Sequence, residues 1–128
     1  MSLVQFEGVE REYIVGDSII KAVKEVSFSL EDKSFNVVLG QSGAGKTTVL
    51  NMLGGMDSPT KGVITVNGEE ISKLGAKELT AYRRDKIGFV FQFYNLVPNL
   101  TALENVQLAE EICKNPLDAA EMLERVGL

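Results

Sequence analysis

The sequence contains no histidine, a single cysteine and no long hydrophobic run, and each absence excludes a class of protein. With only one cysteine the chain cannot form an internal disulfide, which fits a reducing compartment. Since no histidine is present to activate it, we expect Cys113 to be a small buried apolar residue. No apolar run approaches the roughly 18 residues that a membrane-spanning helix needs, and residues 1–5 do not open a signal peptide.

The chain also lacks an excess of basic residues. Its 13 Lys and Arg are outnumbered by 18 Asp and Glu, and the net charge is −5. Binding to a nucleic-acid backbone requires clustered Lys and Arg, so this balance argues against a nucleic-acid partner. The 128 residues suffice for one domain, and 45% hydrophobic with 24% charged residues is the composition of a soluble, cytoplasmic globular protein.

One segment carries a specific chemical signal, the pattern Gly-x-x-x-x-Gly-Lys-Thr at residues 40–47. Its residues are Gly40, Gln41, Ser42, Gly43, Ala44, Gly45, Lys46 and Thr47. The pattern is typical of a P-loop, in which Gly40, Gly43 and Gly45 let backbone N–H groups converge on a phosphate at a helix N-terminus. We expect Lys46 to neutralise the β- and γ-phosphates of a nucleoside triphosphate, and the Thr47 hydroxyl to ligate Mg²⁺.

The segments around this loop have the order that a P-loop requires. Residues 35–39 and 87–91 are short, apolar and β-rich, which predicts two buried parallel strands. Helical spacing of apolar residues predicts a helix from Lys46 that ends at Gly54, and a second helix over residues 76–84. Residues 2–30 predict two strands joined by a turn, and Asn67-Gly68 predicts a hairpin. A capping box at Thr101 and the pair Asn115-Pro116 predict the starts of two further helices.

A P-loop alone does not distinguish kinases, GTPases, helicases and transporters, but longer segments do. Residues 40–51 resemble the Walker A segment of ATP-binding-cassette (ABC) ATPases, and residues 87–92 resemble their Q-loop. Residues 82–106 are similar to the subgroup that energises lipoprotein-release, macrolide-export and antimicrobial-peptide permeases. The resemblance covers nearly the whole chain.

The resemblance implies an α/β fold, the P-loop NTPase fold of ABC type. It implies an N-terminal antiparallel β subdomain at residues 1–34 and 62–72, and an incomplete parallel core sheet at residues 35–57 and 86–92 that carries the P-loop and Q-loop. Residues 93–128 are expected to form the start of a helical subdomain.

The resemblance also implies roles for single residues in binding ATP and Mg²⁺. Tyr13 corresponds to the aromatic residue that stacks on adenine, and Gln92 to the glutamine that reaches the metal and the attacking water. Thr48 joins the P-loop residues that bind the nucleotide. Lys46 and Gln92 become the catalytic candidates, and Thr47 and Gln92 the metal ligands. The alternatives are a tyrosine half-buried for packing and a glutamine with a structural role.

The resemblance further implies partners. Residues 93–100, from Phe93 to Leu100, contain more apolar residues than a free loop carries. In the family this region faces a membrane permease, which would hold the protein at the inner face of the cell membrane. The alternative is that these residues pack inside the domain. A second ATPase subunit is implied as well, because in the family its signature covers the γ-phosphate.

The chain ends at Leu128, about where the family's helical subdomain leads into its Leu-Ser-Gly-Gly-Gln signature. That signature, a strand ending in paired carboxylates and a switch histidine do not occur in these 128 residues. We therefore expect the chain to bind Mg-ATP, to hydrolyse it negligibly by itself, and to self-associate through its incomplete sheet. Two other interpretations stay open: another P-loop enzyme such as a small-molecule kinase, and a non-catalytic nucleotide-binding assembly module.

Overall fold

The computed structural model describes residues 2–128, which form two compact units. The first unit ends at Arg83, and the second runs from Arg84 to Leu128. In chain order the elements are β1 (Ser2–Val15), β2 (Ser18–Glu31), α1 (Lys46–Leu53), β3 (Lys61–Val66), β4 (Glu69–Glu70), α2 (Ala76–Lys86), α3 (Ala102–Ile112) and α4 (Ala119–Arg125). Across residues 2–128, none of the helices combines the length and the apolar character needed to cross a bilayer.

An antiparallel sheet of order β2-β1-β3-β4 holds the first unit together. Phe6 of β1 lies between Phe28 of β2 and Ile64 of β3, and the two phenyl rings stack with centroids 4.5 Å apart. Phe6 and Ile64 are each only 1% exposed, because alternate residues of a strand point to the same face and here that face is the core. The predicted N-terminal antiparallel sheet and the hairpin at Asn67-Gly68 are confirmed.

Helix α1 contributes a buried side chain to the first unit. Its Met52 is 1% exposed, and the helix ends at Gly54 as the sequence predicts. The hydroxyl of the buried Tyr82, on α2, donates a hydrogen bond of 2.7 Å to the Leu53 carbonyl oxygen. This bond satisfies one of the carbonyls that the last turn of a helix leaves without a partner.

The two predicted parallel strands, residues 35–39 and 87–91, are not strands, and these predictions were wrong. Both segments have irregular backbone, and the side chains of Phe35 and Val90 are 93% and 101% exposed. A parallel strand exists only when neighbouring strands complete its ladder and helices cover its faces. Within residues 2–128 no strand pairs with either segment, so their β-rich composition is not sufficient to make them strands.

The second unit contains one confirmed helix start and two corrections. Thr101 caps α3 with the predicted capping box, its hydroxyl accepting from the Glu104 amide. The last helix was predicted to begin at Asn115-Pro116, but α4 begins after Asp118, whose carboxylate accepts from the Glu121 amide at 2.8 Å. Cys113 was predicted to be buried and is exposed, because it follows the end of α3 in extended backbone.

Candidate functional site

The loop at residues 40–45 owes its shape to its glycines. Gly43 and Gly45 have φ of +80° and +93°, a region that side chains disfavour. A Cβ at Gly45 would also overlap the carbonyl oxygen of Ala22, so the loop packs against β2 only with glycine there. Gly40 lies outside the left-handed region, and its constraint is space, since a Cβ would stand 3.3 Å from that of Ala44.

The N-terminus of α1 follows directly from this loop. Gly45 is its N-cap and supplies no side-chain hydrogen bond, and the first turn contains no acidic residue. The first amides of a helix have no intrahelical partners and carry the positive end of its dipole. This helix end is therefore suited to an anion, because no carboxylate of its own turn competes for the position.

Lys46 lies over the same loop. Its Nζ donates to the carbonyl oxygens of Gly40 and Gln41, the latter at 2.8 Å. The loop is closed on itself by a hydrogen bond of 3.1 Å from the Ala44 amide to the Gln41 carbonyl. These contacts hold the ammonium group on the loop, where an anion could exchange for the carbonyl oxygens that it now binds.

A cavity of about 410 Å³ lies beside the loop, a volume within the range of small-ligand sites. Its lining consists of Ile20, Lys21 and Ala22 of β2 together with Ser42, Gly43, Ala44, Gly45, Lys46, Thr47 and Thr48. The sequence predicted the second group. It contained no signal for the first, because β2 precedes the loop by some twenty residues and reaches the cavity only through the folding of the hairpin.

The other predicted site residues lie outside this lining. Tyr13 pairs with Ile20 in the β1–β2 ladder, which puts it opposite a residue of the cavity wall. Gly40 and Gln41 precede the lining residues in the loop. Gln92 belongs to the second unit, where it is exposed in irregular backbone.

Tyr13 is tied to a charged cluster that the sequence did not reveal. Its hydroxyl donates a hydrogen bond of 2.5 Å to Asp57, which also forms an ion pair of 2.8 Å with Arg11. The Arg11 guanidinium lies 4.4 Å from the centre of the Tyr13 ring. Burial acts to raise the pKa of Asp57, but the bonds from Tyr13, the Ser58 amide and Arg11 outweigh it and lower that pKa below its usual value. The sequence contains no signal for these contacts, because Tyr13 and Arg11 lie 44 and 46 positions before Asp57.

A second cavity, of about 420 Å³, lies in the second unit. It is lined by Arg84, Asp85, Lys86, Cys113, Lys114 and Asn115. Arg84 and Lys114 both bind the Asp85 carboxylate, at 2.8 and 3.0 Å, and lower its pKa well below the usual range. Because two of its three cations are already paired, this cavity is the weaker candidate for an anionic ligand.

Known proteins resemble the chain over most of its length. An uncharacterized ABC transporter ATP-binding protein of Thermotoga maritima is 42% identical over 98% of this chain and 56% of its own length. The macrolide export ATP-binding/permease protein MacB 1/2 of Paracoccus denitrificans is 38% identical over 98% of this chain and 20% of its own length. The dimeric, post-hydrolysis structure of the ATP-binding cassette MJ0796 with ADP and Pi is 41% identical. It matches with a TM-score of 0.83 over 95% of this chain and 53% of the solved one.

These relatives confirm the predicted ABC-type fold and decide against a small-molecule kinase. The chain spans about half the length of the Thermotoga relative and of the solved cassette. A family model described as ABC transporter matches residues 23–128. With its P-loop, its fold and these similarities, the chain belongs to the ABC transporter family.

Proposed function

We propose that the chain is the ATP-binding part of an ABC transporter ATPase and binds Mg-ATP at the loop of residues 40–47. One observation carries the proposal: the glycine-shaped loop leads into a helix N-terminus free of carboxylates, with Lys46 beside it and a cavity of ligand size in front. A triphosphate supplies the negative charge that this arrangement favours.

In this proposal each residue of the loop has a definite task. Gly43 and Gly45 keep the backbone in the conformation that turns amides toward a phosphate, and Lys46 exchanges the Gly40 and Gln41 carbonyls for phosphate oxygens. Thr48, in the first turn of α1, also binds the nucleotide in this proposal. Tyr13, opposite Ile20 on the cavity wall, offers an aromatic face to the base, a contact worth roughly 1–3 kcal/mol in comparable stacking sites.

The metal ligands in this proposal are Thr47 and Gln92. The oxygens of a hydroxyl and an amide suit Mg²⁺, which prefers oxygen ligands, and Thr47 lines the cavity beside the loop. When bound, the ion neutralises phosphate charge. Gln92 is also proposed to orient the attacking water, the role that its resemblance to the Q-loop glutamine implies.

The test of nucleotide binding is titration of the purified chain with a fluorescent ATP analogue in the presence of Mg²⁺. We expect saturable binding that the Lys46→Met variant weakens at least tenfold, since it removes the cation at the phosphates. Lys77→Met is the matched control, because Lys77 is exposed on α2. Circular dichroism verifies that each variant is folded. Absence of binding, or equal binding by the Lys46 variant, would contradict the proposal.

Hydrolysis by these 128 residues alone is proposed to be negligible. Water attack needs a further metal anchor, a group that orients the water and charge at the γ-phosphate. The family signature and the switch histidine do not occur among these residues. The measurement is phosphate release by the chain with excess Mg-ATP; sustained release that Lys46→Met abolishes would overturn this part.

A membrane permease and a second ATPase subunit are the proposed partners, which would hold the protein at the cytoplasmic face of the membrane. Support comes from MacB, whose name joins ATP-binding and permease functions, and from the dimeric MJ0796 structure. The permease contact is proposed at residues 93–100. There Phe93, Tyr94 and Leu96 are 76%, 92% and 63% exposed. The backbone amide of Val97 donates a hydrogen bond of 2.7 Å to Oδ1 of Asn105, which anchors the segment to α3.

A photo-crosslinking residue at position 94 tests this surface in cells. We expect a cross-link to one integral membrane protein, and none from position 111, an exposed site on α3 in the same unit. Cross-links confined to soluble proteins would contradict the permease surface and leave the proposal of ATP binding untouched. Self-association through the exposed apolar segments is also proposed.

A further inference from the structure

The cluster of Arg11, Tyr13 and Asp57 joins three side chains from two parts of the first unit. Arg11 and Tyr13 are two residues apart on β1 and therefore project from the same face of the strand. Asp57 follows α1, and its carboxylate binds both of them. Tyr13 donates its hydroxyl to Oδ2 at 2.5 Å, and Arg11 donates Nε to Oδ2 at 2.9 Å.

The second carboxylate oxygen of Asp57 is engaged as well. It lies 2.8 Å from a terminal nitrogen of Arg11, and the Ser58 amide donates to it at 2.8 Å. The Arg11–Asp57 pair is therefore bidentate, with both charged side chains about three-quarters covered, at 25% and 20% exposure. Such a pair has a defined orientation, because each oxygen of the carboxylate is bound by a different nitrogen.

Arg11 also covers one face of the Tyr13 ring. Its guanidinium carbon lies 4.4 Å from the ring centre, which is the distance of a cation–π contact. One face of the ring is thus occupied by Arg11, and its hydroxyl is held by Asp57. Only the opposite face remains for a stacking partner, and in the β1–β2 ladder Tyr13 lies across from Ile20 of the cavity wall.

We propose that Asp57 and Arg11 are positioning residues that hold the Tyr13 ring ready to stack on the base of the bound nucleotide. The inference rests on the proposed function and extends it from Tyr13 to the two residues behind it. A side chain that is already ordered loses less conformational freedom on binding, so a fixed ring binds the base more tightly than a free one. The effect is confined to the base and does not reach the triphosphate.

The test compares two probes on the same protein, Mg-ATP and magnesium tripolyphosphate, which has the phosphates without the base. We expect Asp57→Asn and Arg11→Met each to weaken ATP binding roughly three- to tenfold, the range that corresponds to ordering one side chain. Tripolyphosphate binding should stay within twofold of the wild type. Tyr13→Phe, which keeps the ring and loses the hydroxyl, should weaken ATP in the same direction and by less. Asp32→Asn, a charge change in the exposed turn after β2, should change neither probe.

Each outcome decides the matter. Equal weakening of both probes would show that the cluster only supports the fold, and unchanged ATP binding in Asp57→Asn and Arg11→Met would overturn the positioning role. If Asp57→Asn does not fold, Arg11→Met and Tyr13→Phe carry the test. Loss of tripolyphosphate binding in Lys46→Met would support the phosphate site. If Tyr13→Ala at the same time bound ATP as tightly as the wild type, the contact between Tyr13 and the base would be refuted. A wild-type chain that binds neither probe would refute the proposed function itself.

Discussion

Strand β2 and the segment at residues 35–39 are separated by only a short turn, and both are rich in strand-forming residues. In β2, Phe28 faces Phe6 across the ladder and stacks on it. In the later segment, Phe35 and Leu39 are 93% and 86% exposed. The two regions do not differ in composition enough to explain this. They differ in what lies next to them.

A strand is stabilised by its neighbours more than by its own propensity. β2 has β1 as an antiparallel partner supplied by a tight hairpin, a pairing that needs only local chain. A parallel strand requires partners from distant segments, and residues 35–39 and 87–91 have none within residues 2–128. The comparison of β2 with residues 35–39 shows that strand-forming residues do not make a strand without a partner strand.

The sharpest test of this comparison is a pair of phenylalanine truncations. Phe6→Ala should lower the free energy of unfolding by about 3–5 kcal/mol, since Phe6 is 1% exposed and its loss leaves a cavity. Phe35→Ala should change it by less than about 0.5 kcal/mol, because the ring is in solvent. Urea unfolding followed by circular dichroism measures both. Similar losses in the two variants would mean that residues 35–39 are packed in solution.

Two tyrosines give the next effect. Tyr82→Phe should cost about 1 kcal/mol, since it leaves the Leu53 carbonyl without its hydrogen bond, whereas Tyr94→Phe should cost nothing measurable. Burial, with a smaller effect of Glu69, raises the pKa of Tyr82 to about 12, above an ordinary value near 10. The stability that Tyr82 contributes is therefore complete below about pH 10 and is lost as the pH rises through 12.

The pH dependence is measured as the difference between wild type and Tyr82→Phe in unfolding free energy from pH 8 to 12. That difference should shrink above pH 10, because the unfolded chain ionises this phenol more readily than the folded one. Tyr94→Phe serves as the control for the general effect of alkaline pH. A difference that stayed constant across the range would mean that Tyr82 is not buried in solution.

The smallest effect on stability is expected in the two exposed apolar segments. Phe35→Ser and Val90→Ser should each change the free energy of unfolding by less than about 0.5 kcal/mol. They should nevertheless reduce self-association, since unpaired apolar segments invite pairing with another chain. Light scattering over a concentration series measures this, with Leu117→Ser, at an exposed apolar residue outside both segments, as the control. A wild-type chain that is monomeric at high concentration would contradict the proposal.

Features with a local cause were predictable from the sequence. The capping box at Thr101, the stop of α1 at Gly54 and the hairpin at Asn67-Gly68 each depend on residues within a few positions. The wrong predictions concerned features that depend on distant segments, or places where two nearby residues are equally good helix caps. Asn115 and Asp118 are both good caps, and α4 begins where Ala119 can be buried, at 2% exposure.

The candidate site divides in the same way. Residues 40–47 were found from their spacing, because one continuous segment makes the loop and the helix start, and Thr48 was added by the resemblance to ABC ATPases. The sequence did not predict that β2 contributes to the cavity, or that Arg11 and Asp57 cluster around Tyr13. Those contacts join residues that only the sheet and α1 bring together.

By itself the sequence determined the family, through its resemblance to ABC ATPases. It also determined the loop of residues 40–47 and the antiparallel hairpins, since these depend on short-range spacing and backbone geometry. Only the tertiary structure decided which side chains hold Tyr13, which strand completes the cavity and which apolar segments stay exposed. The physical reason is that side-chain contacts and strand ladders need a partner distant in the chain. A local pattern specifies what a segment can form, and its neighbours in space decide whether it forms.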